Sequence, residues 1–255
     1  MQNRLINWFK FSSPATFYPL AGRLIPISTV IAIALIAYGL YLSFFVAPVD
    51  YKQGEGYRII FVHVPASWMS MFIYLVMAFW SVIGLTFNTR VSAMMSQALA
   101  PTGAMFAFIS LWTGAFWGKP MWGAWWVWDA RLTSMLILFF FYLGVIALAN
   151  GFDQPERGSR PAALLALVGV INVPIVKFSV DWWNTLHQPA SLLRSGGVSI
   201  DQAMLVPLLL MLAGMHCYFA VIVILRMKSI LTERRIITQQ LRRAARDTAD
   251  DGGKA

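Results

Sequence analysis

Six apolar runs, each long enough to cross a lipid bilayer as a helix, constrain this sequence more than any other feature. A transmembrane helix needs about 20 mostly apolar residues. Hydrophobic residue types make up 58% of the 255 residues and charged residues 12%, about half the charge of a typical soluble domain. These values exclude a soluble globular protein, and we predict an all-α integral membrane protein with a bundle of six transmembrane helices. The runs lie at 24–46, 61–85, 97–116, 132–149, 162–180 and 204–225.

The distribution of lysine and arginine predicts the orientation of this bundle. If the six runs cross the membrane in turn, 14 of the 20 Lys and Arg lie on the side of both termini and 5 on the opposite side. Because these residues accumulate on the cytoplasmic side, we expect both termini in the cytoplasm. The loops expected outside are 47–60, 117–131 and 181–203. The expected domains are a cytoplasmic N-terminal arm at 1–23, a membrane domain at 24–225 and a basic cytoplasmic tail at 226–255.

The net charge of +9 reflects a concentration of positive residues in the C-terminal tail, because eight of the 20 Lys and Arg lie in residues 226–255. A basic segment beside a membrane span favours contact with the lipid bilayer or with a partner protein, so no nucleic-acid partner is expected. The single cysteine, Cys217, lies in an apolar run. A lone cysteine excludes an internal disulfide, a CxxC redox pair and a CxxCH site for covalent haem attachment.

Tryptophan is concentrated in one of the expected outer loops. Five of the eleven Trp lie within residues 117–129, and the alternative explanation is an aromatic belt, which has Trp at both membrane faces. Under the predicted topology nine of the eleven fall on the outer side, which a two-sided belt does not explain. The spacing predicts a Trp-rich interfacial helix that presents a shelf of indoles to a flat aromatic ligand. Its face comprises Trp122, Trp125, Trp126 and Asp129.

Two of the three histidines are expected on the same side as these tryptophans. His63 lies at the outer start of the second span and His187 in the third outer loop. Neutral imidazole is a common ligand of haem iron, and two imidazoles complete six-coordination, so we predict His63 and His187 as axial ligands. The alternative for each is a polar group satisfied at the membrane interface. His216, in the sixth run, has no second mid-membrane histidine to pair with and is expected to be structural.

The residues around these positions resemble those of a known family. Residues 122–133 read WGAWWVWDARLT and resemble the tryptophan-rich WWD signature of the haem-handling proteins of cytochrome c assembly. Within that superfamily, the six spans, the short length, FVHVPASW at 61–68 and WWNTLHQ at 182–188 are similar to the haem exporter protein C family of the bacterial cytochrome c maturation system. The resemblance covers residues 20–226.

This resemblance implies a site for haem b, held non-covalently at the periplasmic face of the bacterial inner membrane. The positions that match the axial ligands are His63 and His187. The Trp-rich segment at 117–133 is expected to supply the remaining haem contacts, through Trp117, Trp122, Trp125, Trp126, Trp128 and Asp129.

The resemblance further implies delivery of haem to a periplasmic haem chaperone, without enzymatic catalysis. The implied partners are an ATP-binding-cassette ATPase, a second membrane subunit and a small single-span subunit. The alternative function is a transmembrane haem transporter or permease subunit. Such a protein needs polar or discontinuous helices along a path, and the sequence hints at this only through Pro174 and Pro207.

Overall fold

Seven helices form the fold in the computed structural model, which describes residues 14–152, 154–183, 185–187 and 200–252. Two short turns accompany them, a π-helical turn at Leu42–Val46 and a 3₁₀ turn at Glu55–Ile59. The helices are α1 (Pro14–Tyr41), α2 (Ile60–Phe87), α3 (Arg90–Trp122), α4 (Ala130–Asn150), α5 (Pro155–Gly169), α6 (Asn172–Trp182) and α7 (Gln202–Gly252).

The helices provide six segments that are long and apolar enough to cross a membrane, as the sequence predicts. Each predicted run lies inside one of these segments, and each segment is longer than its run, because the helices continue through polar and aromatic residues at their ends. The α5 and α6 helices together make the fifth segment. The segments are Phe17–Val46, Glu55–Phe87, Val91–Trp122, Ala130–Asn150, Arg157–Trp182 and Gln202–Gln240.

The fifth segment is interrupted between α5 and α6, and Pro174 explains the interruption. Proline has no backbone N–H. Pro174 therefore cannot donate a hydrogen bond to the carbonyl four residues earlier, which is that of Val170. That carbonyl instead accepts a tighter bond of 3.1 Å from the backbone N–H of Val173. The buried Asn172 side chain then donates from Nδ2 to the carbonyl of Ser134 at 2.8 Å. The break is therefore a proline kink anchored to α4.

Large buried side chains on α2 and α4 fill the centre of the bundle, and small residues on neighbouring helices make room for them. The α2 helix packs mainly on α3, and α1 packs mainly on α7. Tyr142 is fully buried, and its hydroxyl donates to the carbonyl of Ser70 at 2.7 Å. Its ring lies directly against Gly103 of α3. Small residues at helix contacts are typical of membrane bundles, because they let the backbones approach closely.

The α7 helix is the longest element and joins the membrane domain to the basic tail. Its 51 residues extend about 75 Å at 1.5 Å per residue, against about 30 Å for the hydrocarbon core. The domain boundary expected at residue 226 falls within this continuous helix. The tail residues as far as Gly252 therefore extend the helix of the last span.

Replacement of Gly103 by alanine is expected to destabilise the bundle. The added Cβ would lie 2.1 Å from Cζ and 2.3 Å from the hydroxyl oxygen of Tyr142, so the buried tyrosine would have to move. Overpacking of this kind costs about 1–3 kcal/mol. The measurement is unfolding of the detergent-solubilised protein by heat or denaturant. Gly22→Ala is the matched control, because no atom lies within 4 Å of its added Cβ. Equal stability of the two variants would contradict this packing.

Candidate functional site

The three segments expected outside meet at one end of the bundle. His63, in the first turn of α2, lies with its Nδ1 3.0 Å from Thr113 Oγ1 near the end of α3. Trp117, one turn further along α3, donates from Nε1 to Gln53 Oε1 of the 47–59 connection at 3.0 Å. The segment 185–187 reaches the start of α4 through His187. The structure therefore gathers both predicted histidine ligands and the Trp-rich segment at the same end.

The imidazole of His187 is held by a carboxylate that also caps a helix. Asp129 is the N-cap of α4, and its Oδ1 accepts from the backbone N–H of Leu132 at 2.8 Å. Its other oxygen, Oδ2, lies 3.1 Å from Nδ1 of His187. The side chain of His187 is only 14% exposed, and that of Asp129 is 6% exposed. One buried carboxylate thus fixes both the start of α4 and the orientation of the imidazole.

The surroundings of His187 favour its neutral form. Burial lowers the pKa of His187 below its ordinary value, and the hydrogen bond that His187 donates to the Asp129 carboxylate opposes this effect without overcoming it. A neutral imidazole has one N–H and one lone pair. Since the carboxylate accepts a hydrogen bond, the proton lies on Nδ1, and Nε2 carries the lone pair. Such a nitrogen is the form of histidine that ligates metals.

Replacement of Asp129 by asparagine is expected to lower the pKa of His187 further. The substitution removes the charge that opposes the effect of burial, whereas asparagine retains the N-cap, because it caps helices as well as aspartate does. The measurement is a histidine NMR titration of the detergent-solubilised protein without ligand. Asp181→Asn is the control, since it removes the same charge from an exposed position on α6. An unchanged or raised pKa of His187 in the Asp129 variant would contradict the pairing.

His63 is positioned by two consecutive residues of α3. The Thr113 hydroxyl contacts its Nδ1, and the same hydroxyl donates to the carbonyl of Ile109 at 2.6 Å. Gly114 lies beside the ring, because a Cβ at this position would be 3.1 Å from Cε1 of His63 and 3.6 Å from Nδ1. A side chain at 114 would therefore displace the ring by a few tenths of an ångström.

His187, Trp122 and Trp117 form one connected cluster of rings. The ring of Trp122 meets that of His187 edge to face, with centroids 4.9 Å apart. The ring of Trp117 meets Trp122 in the same way, also at 4.9 Å. His63 contacts α3 one turn before Trp117, through Thr113. This end of the bundle thus combines two imidazoles and large apolar rings, which is suited to a metal held within a flat aromatic ligand.

The predicted interfacial helix through the Trp-rich segment is wrong. The α3 helix continues as far as Trp122 and ends at Gly123, whose φ of +78° is the left-handed conformation that glycine adopts readily. Residues 124–129 are not helical. Trp122 therefore belongs to α3, whereas Trp125 and Trp126 lie in the connection to α4. A single helical face from Trp122 to Asp129 does not form.

The indoles also do not form a flat shelf. The rings of Trp126 and Trp128 are nearly perpendicular, at 78° with centroids 5.4 Å apart. Within residues 117–129 the most accessible indoles are Trp125 and Trp128, which are 53% and 76% exposed. The Nε1 group of Trp126 is buried and has no hydrogen-bond partner among the described residues. The segment thus offers two exposed indoles and one unsatisfied donor.

Two cations at the end of the bundle that holds both histidines form hydrogen bonds within the protein. Arg131 donates to Ser179 Oγ at 3.3 Å and to the carbonyl of Lys177 at 3.2 Å, which ties α4 to α6. Lys119 donates from Nζ to the carbonyl of Gly123 at 3.1 Å and so stabilises the end of α3. The third histidine, His216, lies in α7 and bonds to its own helix, with Nδ1 2.8 Å from the carbonyl oxygen of Leu212.

Sequence reasoning did not select Thr113, Gly114 or Gln53, which contact the predicted site residues. A signal for the first two exists in the sequence, because Thr-Gly stands one helical turn before Trp117 on the same helix. Their contact with His63 depends on how α2 and α3 are rotated against each other. The role of Gln53 depends on how the 47–59 connection folds over the end of α3. Neither the rotation of these two helices nor the path of this connection can be predicted from a local sequence pattern.

Known proteins match this chain over most of its length. The family model described as Heme exporter protein C matches residues 7–242, a wider range than the 20–226 expected from the motifs. The Heme exporter protein C of Bradyrhizobium diazoefficiens is 46% identical over 92% of this chain and 89% of its own length. That of Escherichia coli K12 is 45% identical over 86% and 88%, and that of Paracoccus denitrificans 39% identical over 89% and 95%.

Proposed function

The chain belongs to the haem exporter protein C family, and on this basis we propose that it holds haem for cytochrome c maturation and delivers it to a periplasmic haem chaperone. The haem is haem b, bound non-covalently as cargo at the periplasmic face of the bacterial inner membrane. His63 and His187 are its axial ligands. The names of the relatives support the haem-handling role, and the geometry of the two histidines supports the ligand assignment.

The observation that carries this proposal is the matched hydrogen bonding of the two imidazoles. Each has Nδ1 engaged by a partner within the protein, Thr113 for His63 and Asp129 for His187. Histidines that bind metal through one nitrogen almost always donate from the other to an acceptor that fixes the ring. With Nδ1 engaged in each ring, Nε2 is the nitrogen that we propose faces the iron.

The Trp-rich segment fits the remainder of a haem molecule. Trp125 and Trp128 are the exposed indoles, and stacking on a conjugated ring adds about 0.5–1.5 kcal/mol to the effect of burial. Trp126 has a buried N–H without a partner among the described residues, and such groups usually have an acceptor. A haem propionate oxygen would supply one. In this assignment Asp129 acts through His187, whose Nδ1 lies 3.1 Å from its carboxylate.

The buried polar groups of the spans favour delivery from the outer face over passage through the bundle. A transport path needs polar groups that line it near the middle of the membrane. Buried serine hydroxyls in the described spans instead bond to their own or a neighbouring helix, whereas the buried Tyr74 hydroxyl has no partner among the described residues. Ser81 donates to the carbonyl of Met77 at 2.9 Å and lies 3.1 Å from Ser96 of α3. Ser179 donates to the carbonyl of Val176.

The proposed partners follow from membership of the family. We propose that the chain assembles with an ATP-binding-cassette ATPase, a second membrane subunit and a small single-span subunit. The ATPase would work from the cytoplasmic side, where the basic extension of α7 is expected. The haem chaperone would approach the opposite end, which holds the two histidines and the exposed indoles Trp125 and Trp128. ATP hydrolysis and haem delivery would then occur at different ends of the assembly.

Alanine at either proposed ligand is expected to weaken haem binding without abolishing it. His63→Ala and His187→Ala should each shift or weaken the Soret band of the purified protein, because one axial bond is lost while the indole contacts and the other bond remain. Added imidazole should partly restore the band. His216→Ala is the matched control and should leave the spectrum unchanged. Wild-type spectra for both ligand variants would contradict the assignment.

The same variants test delivery. When the protein is co-produced with the periplasmic haem chaperone, His63→Ala and His187→Ala should each reduce the amount of haem covalently bound to the chaperone severalfold. His216→Ala should not. The measurement is haem staining of the chaperone after denaturing electrophoresis, normalised to the amount of each membrane protein. Full chaperone loading by both ligand variants would contradict delivery from this site.

A further inference from the structure

We propose that Thr113 is a positioning residue that sets which nitrogen of His63 faces the iron, and that its neutral hydroxyl makes His63 the weaker and first-released axial ligand. This role rests on the proposed haem ligation. It concerns a residue of α3 that does not belong to the Trp-rich motif. It also distinguishes two histidines that the sequence presents as equivalent.

The hydrogen-bond network around Thr113 assigns the proton of His63. A hydroxyl has one hydrogen, and that of Thr113 is directed to the carbonyl of Ile109 at 2.6 Å. This bond to the carbonyl four residues earlier is common for threonine in membrane helices. Toward the imidazole at 3.0 Å the hydroxyl oxygen can therefore only accept. Nδ1 of His63 must donate, which leaves the lone pair on Nε2.

The packing around Gly114 holds the imidazole in this orientation. The Nδ1 and Cε1 atoms form the edge of His63 that contacts α3, because a Cβ at 114 would lie 3.6 Å and 3.1 Å from them. A rotation of the ring that exchanged Nδ1 for carbon would break the bond to Thr113. The hydroxyl and the glycine together therefore select one nitrogen for the ligand.

The two histidines differ in the charge of their partners. The Nδ1–H of His187 donates to the carboxylate of Asp129, and hydrogen bonds to ionised groups are roughly twice as strong as neutral ones. Donation to an acceptor raises the basicity of a histidine ligand, so a carboxylate does this more than a hydroxyl. Nε2 of His187 is therefore the stronger electron-pair donor. The bond from iron to His63 is the weaker of the two.

This difference determines which histidine is replaced first during ligand exchange. When another ligand approaches the iron, the bond to Nε2 of His63 breaks and that nitrogen keeps its electron pair. The incoming ligand supplies its own pair for the new bond, so the iron changes neither its oxidation state nor its coordination number. His187 remains bound opposite the new ligand, and Thr113 retains the Nδ1–H of the released imidazole. The haem stays anchored on one side during the exchange.

The first test measures how readily an added ligand replaces His63. In haem-loaded full-length protein, Thr113→Val should lower the imidazole concentration for half-maximal exchange by about tenfold, the lower limit for loss of such a partner. Thr113→Ser keeps the hydroxyl and should restore the wild-type value. Thr102→Val is the matched control, because Thr102 is buried on the same helix, about 16 Å away at 1.5 Å per residue. Equal values for wild type and Thr113→Val would overturn the role of Thr113.

The second test identifies which histidine remains bound. Carbon monoxide replaces one axial ligand of reduced haem, and the iron–carbon stretching frequency responds to the hydrogen bonding of the ligand that stays. If His63 leaves, Asp129→Asn should shift this frequency and Thr113→Val should not. A shift in the Thr113 variant, or no shift in the Asp129 variant, would overturn the order of release.

The outcomes separate this inference from the proposed function. If His63→Ala has a wild-type absorption spectrum, His63 is not an axial ligand and the proposed site is wrong. An altered spectrum of His63→Ala combined with wild-type exchange in Thr113→Val would overturn the inference alone. If Thr113→Val does not yield a monodisperse protein, Thr113→Ala takes its place, because it removes the same hydroxyl with less bulk. Its imidazole concentration for half-maximal exchange is then compared with that of the wild type.

Discussion

The hydrogen bond between His187 and Asp129 is the interaction on which the end of the bundle that holds both histidines depends. It fastens the segment after α6 to the start of α4, and it does so through a carboxylate that already caps α4. It also places the imidazole against Trp122, whose position is set by the end of α3. Among the described residues, this is the hydrogen bond that joins the His187 side chain to the start of α4.

The bundle solves a problem common to membrane proteins, which is to keep polar ligands near apolar helices without leaving their hydrogen-bonding groups unsatisfied. A buried polar group without a partner costs several kcal/mol, roughly, in the hydrocarbon region. Each proposed ligand engages Nδ1 with a partner from a neighbouring helix or helix start. The remaining nitrogen, Nε2, is then the only part of each ring that needs a ligand. Structural stability and readiness to bind iron thus come from the same contacts.

The sequence predicted the six spans and the convergence of His63, His187 and the Trp-rich segment, because hydropathy and charge bias report directly on membrane crossing. It failed for the conformation of residues 123–129. Helical spacing of Trp122, Trp125 and Trp126 is compatible with a loop as well, and Gly123 in the left-handed conformation ends α3 before the pattern is complete. Thr113 and Gly114 were missed because their significance lies in the contact between α2 and α3.

The central claim is that His63 and His187 both bind the same haem iron. Electron paramagnetic resonance and near-infrared magnetic circular dichroism of the ferric, haem-loaded protein report the spin state and the identity of both axial ligands. The account predicts a low-spin iron with two histidine nitrogens, each lost in the corresponding alanine variant and neither in His216→Ala. A high-spin iron, or a low-spin iron with an axial ligand other than these two histidines, would contradict it.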